Sequence, residues 1–391
     1  MASKPTTAPF SRAVVNAMRK LYPEQLADKS WDNTGLLLEA PFDPLRRQMN
    51  SILLTVDLTK AVVDEAIERQ DSVIVAYHPI IFRGLKSLTL ANSQQQSLLR
   101  LAAEGISVYC PHTAIDAAPG GLGDWLADIV TGTPVSVPQK KEDKDAKENG
   151  AQDAGTKSKD TDKDTDKDKG TDTQEDMSLA PPKRPVYMLQ HHPSQADIKE
   201  PDLKLDAFDH TRHTIQPLSL PSHPGAGMGR IVRFPRPQPF LALIERIGRG
   251  LGNPKGFPIA IPQGASLDSV MVSSVGICAG SGGSLFAGLD DVDLLFTGEL
   301  SHHEALAAIE RGQSVIALFH SNTERGFLHS VLRGQLQAQV EEEWAMVRRE
   351  EQGTEGMSED WKEALEDEEV NVEVSEVDRD PYGIMISKAE L

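Results

Sequence analysis

The sequence predicts an α/β protein of two similar lobes with mostly parallel sheet order, separated by a disordered insertion. Three observations predict it. Short runs rich in Val, Ile and Leu alternate with amphipathic stretches of helical length in two blocks of the chain, the pattern of crossover units. Between the blocks, Gln139 to Met177 contains no aromatic or branched aliphatic residue and alternates Lys with Asp. Such a segment cannot bury enough apolar surface to offset its ordering entropy. The length of 391 residues fits two or three folded units at roughly one per 150.

Taken in order, Phe10, Val14, Val15, Met18 and Leu21 recur at helical spacing and predict a core-packing first helix. Lys4, Arg12, Arg19 and Lys20 precede the first acid, Glu24, so a mitochondrial transit peptide is the alternative for this stretch. Ser51–Asp57 reads as a strand, Thr59–Gln70 as an amphipathic helix and Ser72–Tyr77 as a buried strand. A helix around Gln94–Glu104 and a strand at Ile106–Cys110 complete the first lobe, assigned to residues 1–138. The insertion takes residues 139–180, and a Pro- and His-rich connecting region with one helix, Phe240–Leu251, takes 181–268. The second lobe, 269–391, repeats the alternation, with strands Ser269–Ile277, Val292–Thr297 and Ser314–Phe319 and helices His302–Arg311 and Asn322–Gln337.

Composition excludes several classes. No run of about 18 uncharged apolar residues exists, so no transmembrane helix is expected. Two cysteines, Cys110 and Cys278, cannot build a disulfide framework or a Cys-based zinc site, which points to a reducing compartment. The expected location is the cytoplasm, with nucleus or mitochondrion as alternatives. A net charge of −19 argues against direct nucleic-acid binding, which needs clustered Lys and Arg. Most of that surplus lies between Glu341 and Arg379, with 16 acidic and 4 basic residues, and reads as a solvated face or tail.

The histidines carry the chemistry. His78, His112 and His320 each follow a predicted strand, and ligands of open α/β sheets bind outside the carboxyl ends of strands. His112-Thr-Ala-Ile-Asp116 and His320-Ser-Asn-Thr-Glu324 both read strand, His, three residues, acid, a spacing that sets imidazole and carboxylate on one side of a turn or helix. Imidazole with carboxylate suits Zn, Mn, Fe, Co or Ni. His302 and His303 open a helix and could line the pocket. Gly276-Ile-Cys-Ala-Gly-Ser-Gly-Gly283 reads as a tight turn rather than a phosphate loop, since it lacks the Walker lysine. His191, His192, His210 and His213 read as surface residues, and Asp32 and Asn33 as turn-holding ones.

These residues carry a resemblance. Thr297-Gly-Glu-Leu-Ser-His-His-Glu-Ala-Leu306 and Phe319-His-Ser-Asn-Thr-Glu-Arg-Gly-Phe-Leu328 resemble the signature of the Nif-three-like family, that of NGG-interacting factor three, also labelled type-two GTP cyclohydrolase I homologues. Trp31-Asp-Asn-Thr-Gly-Leu36, Tyr77-His-Pro-Ile-Ile-Phe82, His112–Asp116 and the closing run Val374–Pro381 agree, the last being typical of eukaryotic members. The resemblance implies two interlocked lobes around a two-metal site, often in a homo-oligomer, a dimer or a ring-shaped hexamer of dimers. It implies that His78 and Asp116 hold one metal, that His320 holds the second and that Glu324 bridges both, with His112 a pocket residue. Tyr77 stands where many bacterial members have a histidine, and a phenol with pKa near 10 is the poorer ligand at neutral pH.

The expectation is a divalent-metal protein, with one or two ions per chain and hydrolase-like chemistry on a phosphoester or purine ring, His112 or His302 moving the proton. The alternatives are an interaction protein for a transcriptional adaptor, which the family's name records, and a metal-handling protein without turnover.

Overall fold

The computed structural model describes residues 7–43, 48–132, 187–192, 207–352 and 357–388. The expected disordered insertion, 139–180, lies outside them. The chain divides into two compact units, one of residues 1–137 with 189–385 and one of 138–188 with 386–391. Of the three sheets, the two larger ones belong to the first.

In chain order the first elements are α1 (Pro9–Leu21), β1 (Gly35–Leu38), β2 (Met49–Thr55), α2 (Lys60–Arg69), β3 (Asp71–Ala76), α3 (Ser93–Glu104), β4 (Ser107–Cys110), α4 (Thr113–Ala117) and α5 (Leu122–Thr131). After β5 (Tyr187–Gln190), which lies in neither of the larger sheets, come β6 (Thr211–Pro217), β7 (Gly227–Pro239), α6 (Phe240–Gly250), β8 (Ile259–Ala260), β9 (Met271–Ser281), β10 (Leu294–Glu299), α7 (His302–Glu310) and β11 (Ser314–Ala317). The chain closes with α8 (Arg325–Phe327), a π-helical turn at Leu328–Leu332, α9 (Arg333–Glu351), α10 (Glu359–Glu366), β12 (Asn371–Val374) and β13 (Ile384–Ser387), the last again in neither of the larger sheets.

The first sheet runs β1-β4-β3-β2-β12 and the second β6-β7-β9-β10-β11-β8. β12, β2, β3 and β4 are mutually parallel, in register Val372↔Ile52, Leu53↔Ile74 and Ile74↔Val108. All six residues of β3 are buried, as a parallel strand covered on both faces requires. In the second sheet β9, β10 and β11 are parallel (Leu295↔Gly276 and Leu295↔Val315). Antiparallel β1 closes one edge of the first sheet; β6, β7 and β8 flank the parallel strands of the second. Two α/β lobes are thus present, parallel at their centres and antiparallel at their margins.

They are interlocked, because β12 comes from the C-terminal segment yet pairs in the N-terminal sheet. The acidic stretch is structural at the same place. In α9, Leu336, Val340, Trp344 and Val347 fall on one buried stripe. The stripe faces α1, where Phe10 meets Trp344 edge-on at 5.5 Å. Lys20 pairs with Glu343, and Arg12 with Glu351, so two of the acids neutralise the basic face of α1. Each large side chain buried there contributes about 1.5–3 kcal/mol.

The Pro- and His-rich region resolves into the β6–β7 hairpin, with Val232 opposite Arg212 and Val275. The register of β7 on β9 slips between Arg233 and Gln238, where Pro235 and Pro237 have no N–H to give. β2, β3, β4, β10 and β11 all end towards one place, where the lobes meet.

Candidate metal centre

From the first lobe comes His78. The ladder continues past β3 through Tyr77 N–H to Thr55 O at 2.8 Å and His78 N–H to Val56 O at 3.0 Å, which fixes the backbone carrying the ring. Its Nδ1 lies 2.9 Å from Asp57 Oδ1, two residues past the end of β2. A carboxylate at Nδ1 sets that nitrogen as the donor and leaves Nε2 with a lone pair. Nε2 stands 3.4 Å from Glu324 Oε2.

The second lobe repeats the device. His320 follows β11, its Nδ1 lies 2.8 Å from Oε1 of Glu299, the last residue of β10, and its Nε2 lies 3.4 Å from Glu324 Oε1. Two carboxylate-oriented imidazoles from different sheets thus converge on one carboxylate. The two rings are 5.2 Å apart, and ligand atoms of His78, His320 and Glu324 all lie within 4.8 Å of one another. Glu324 is 2% exposed, and its Oε2 has no hydrogen-bond partner. A buried acceptor left open costs about 1–3 kcal/mol unless something fills it.

Electrostatics point the same way. Burial pulls the His78 imidazole down, but Glu324 and Asp57 outweigh it and push its pKa up to about 11. Asp57 is held below the usual carboxylate range, since the bond and charge of His78 outweigh its burial. These three residues could hold a metal ion, and the N/O donor set suits a borderline divalent cation.

The backbone makes room for this arrangement. Gly280, in β9, has φ +58°, and a Cβ there would stand 2.6 Å from Glu324 Oε1 and 2.8 Å from His320 Nε2. Only glycine fits so close behind Glu324 and His320. Phe319, directly before His320, has φ +67°, and His112 has φ +30°. Non-glycine residues held at positive φ cost about 1–3 kcal/mol each and cluster at functional sites.

Asp116, in α4, is half-buried beside the centre, and burial raises its carboxyl to about 6. The Tyr77 hydroxyl donates to its Oδ1 at 2.7 Å. The Tyr77 phenol thus orients an acid. His112 presents Nδ1 to Asp32 Oδ1 at 2.7 Å, and its ring lies 5.5 Å from that of His78 and 5.6 Å from Trp31. Asp32 also accepts from the amide and hydroxyl of Thr113, so it does more than hold its own turn. His302 is placed elsewhere: it is exposed on the first turn of α7, with its ring 5.2 Å from His303.

The structure therefore brings His78, His320 and Glu324 together, sets Asp116 and His112 beside them, and leaves His302 at the surface. Asp57 and Glu299 were given no role by the sequence, and Gly280 was read only as part of a tight turn, where the structure has the end of β9. The first two each close or follow a strand, and an acid at a strand's carboxyl end was the available signal.

The chain is similar to known proteins in sequence and in fold. The family model described as Duf34/NIF3 (NGG1p interacting factor 3) matches residues 11–353. The chain is 38% identical over 326 residues to Protein NIF3 homolog of Schizosaccharomyces pombe, covering 83% of this chain and 88% of that one. It is 33% identical over 330 residues to NGG1-interacting factor 3 of Saccharomyces cerevisiae, covering 83% and 89%. Among solved structures, the Bacillus cereus protein related to NIF3 superposes with TM-score 0.56 at 19% identity, over 97% of this chain and 99% of that one. Reduced HcgD from Methanocaldococcus jannaschii superposes with TM-score 0.52 at 16% identity, over 86% and 96%. These two likenesses establish the fold.

Proposed function

Because the chain belongs to the Duf34/NIF3 (NGG1p interacting factor 3) family, we propose that it is a divalent-metal-dependent hydrolase whose centre is formed where its two lobes meet. The observation that carries this reading is the convergence of His78 Nε2 and His320 Nε2 on the open carboxylate of Glu324. His78, His320 and Glu324 would hold the first ion, with Asp116 completing the set or serving a second. The ion would be Zn, Mn, Fe, Co or Ni. The chemistry such an ion supplies is Lewis-acid polarisation and a nucleophile made from water at neutral pH.

The chain's own residues supply the rest. Asp57 and Glu299 hold the two imidazoles with Nε2 inward. Asp32 holds His112 with Nε2 free, so that His112 takes a proton from the nucleophile or gives one to the leaving group, and the carboxylate stabilises the imidazolium that results. A base so positioned contributes roughly 10²–10⁴-fold to rate. Tyr77 keeps Asp116 in place from behind. His302, on the surface, has no role in this scheme. The substrates fitting the chemistry are phosphoesters and purine rings open to hydrolysis.

A second reading takes the yeast relative's name at its word: NGG1-interacting factor 3 is named for an interaction, and an adaptor protein is then a partner of this chain too. A third is metal handling without turnover. In each the chain works as a homo-oligomer; no helix among the described residues is long and apolar enough to cross a membrane. Metal-loaded protein assayed against phosphoesters and purine nucleotides tests the first reading. It predicts turnover that His112→Gln abolishes while metal content stays; absence of turnover on every class overturns it in favour of the other two.

A further inference from the structure

Beyond His78 lies a cavity of about 710 Å³, within the range of small-molecule sites. One wall holds Asp57 and His78; the others are built by the start of α2, the start of α3, His191 and the segment 377–381. Its charges are not balanced. The two wall carboxylates are committed elsewhere: Asp57 to His78, and Asp380 to the amide and hydroxyl of Ser321 at 3.0 and 2.9 Å and to the amide of Tyr382. The two wall cations, Lys60 and Arg379, are exposed and make no ion pair or side-chain hydrogen bond among the described residues. They come from opposite ends of a chain whose net charge is −19. His191, in the same wall, has a buried Nδ1 with no partner among the described residues.

The backbone adds to this. Thr59 caps α2 by accepting from the amide of Val62, and Asn92 caps α3 by accepting from the amide of Gln95. The first N–H groups of a helix have no partner within it. The amides those caps leave over belong to Lys60 and Ala61, and to Ser93 and Gln94, all four residues of the cavity wall. Each helix start also carries the positive end of its macrodipole.

We infer that this cavity binds the phosphate group of a small phosphorylated substrate, held by Lys60 and Arg379 with the substrate's reacting end at His78. The cavity's size sets a small molecule, and the overall charge of the chain opposes a nucleic-acid strand. As a statement about substrate this rests on the metal-centre reading above; as a statement about anion binding it stands on the cavity alone. The closing experiment separates the two.

Inorganic phosphate is titrated into full-length protein by calorimetry at constant ionic strength, once as purified and once after chelator treatment, with metal content measured on each sample. The expected result is binding in both samples, weakened about tenfold or more in Lys60→Gln and in Arg379→Gln, the loss expected for a charge-assisted contact. Arg236→Gln, an exposed cation on β7, leaves it unchanged. Both substituted side chains are exposed, so the fold is retained, and melting curves verify it. Phosphate binding that appears only in the metal-containing sample and ignores both substitutions overturns the inference, because the anion is then bound by the ion. Absence of binding overturns it as well, whatever the metal content. Equal binding of succinate overturns the phosphate class.

Discussion

Asp378 accepts a hydrogen bond from the backbone N–H of Val56 at 2.8 Å, across nearly the whole length of the chain. Its other oxygen accepts from Arg325 Nη2 at 3.1 Å, with side chains 2% and 7% exposed. Val56 precedes Asp57, which orients His78, and Arg325 follows Glu324. One carboxylate from the C-terminal segment thus ties together the two loops that supply the centre, one from each lobe. Removing one partner of a buried pair costs about 3–5 kcal/mol, because the other charge is left uncompensated. Asp378→Ala should lower stability by about that amount and reduce metal affinity in the fraction that folds. Urea denaturation beside metal titration checks it; unchanged affinity would show that the tie is structural only.

Tyr77 is the second test. Its hydroxyl donates to Asp116, so Tyr77→Phe removes the orienting bond while keeping the ring among its neighbours. Loss of an outer partner of a metal-site acid weakens binding about 10–100-fold. Competition titration against a chromophoric chelator measures this, and a change under twofold would remove Asp116 from the ligand set.

Gly280 is the third. Gly280→Ala places a methyl against Glu324 and His320 and requires alanine at φ +58°. The backbone strain is about 1 kcal/mol, whereas the displacement of two ligands should remove most of the bound metal. The expected pattern is a nearly normal melt with metal content cut at least fivefold (about 1 kcal/mol of binding). Full metal content would mean that the ligands do not need the space.

A fourth prediction concerns pH. His329 sits in the π-helical turn, where burial first, and then Arg333 and Arg325, lower its pKa to about 4. The unfolded chain binds a proton at the ordinary value near 6.5, the folded chain only near 4. Between those values the unfolded state holds more protons, so this contribution is intact above pH 6.5 and is lost as pH falls towards 4. The partly exposed ring makes the effect of order 1–2 kcal/mol. Comparing wild type with His329→Gln cancels the opposite trend from Asp116. The variant should lose less stability than wild type between pH 7 and pH 5 in urea melts; parallel losses would contradict it.

Much of this was legible in the sequence because periodicity is local. The strands ending near Thr55, Ala76, Cys110 and Ala317 were readable from apolar runs, and the His-x-x-x-acid spacing marked His112, Asp116, His320 and Glu324. What escaped was set by distant partners. Residues 371–374 look like part of an acidic tail until β2 provides an edge for them, and α9 is solvated only on the face that α1 does not cover. β6 and β7 hide behind prolines, since strand pairing there tolerates a slipped register. Asp57 and Glu299 carry no spacing signal towards His78 and His320. Their relation exists only once parallel neighbours bring strand ends side by side. His302 shared the motif's sequence but lies on the exposed side of its helix.

The most direct test is the metal content, by mass spectrometry, of full-length protein purified without chelator and compared with His320→Ala and Glu324→Gln. Both variants should keep the wild-type circular dichroism spectrum. The account predicts about one divalent ion or more per wild-type chain and less than about a tenth of that in either variant, since each loses a ligand of the centre. Wild-type protein that holds no divalent ion even after loading, or variants that hold as much as wild type, would contradict it.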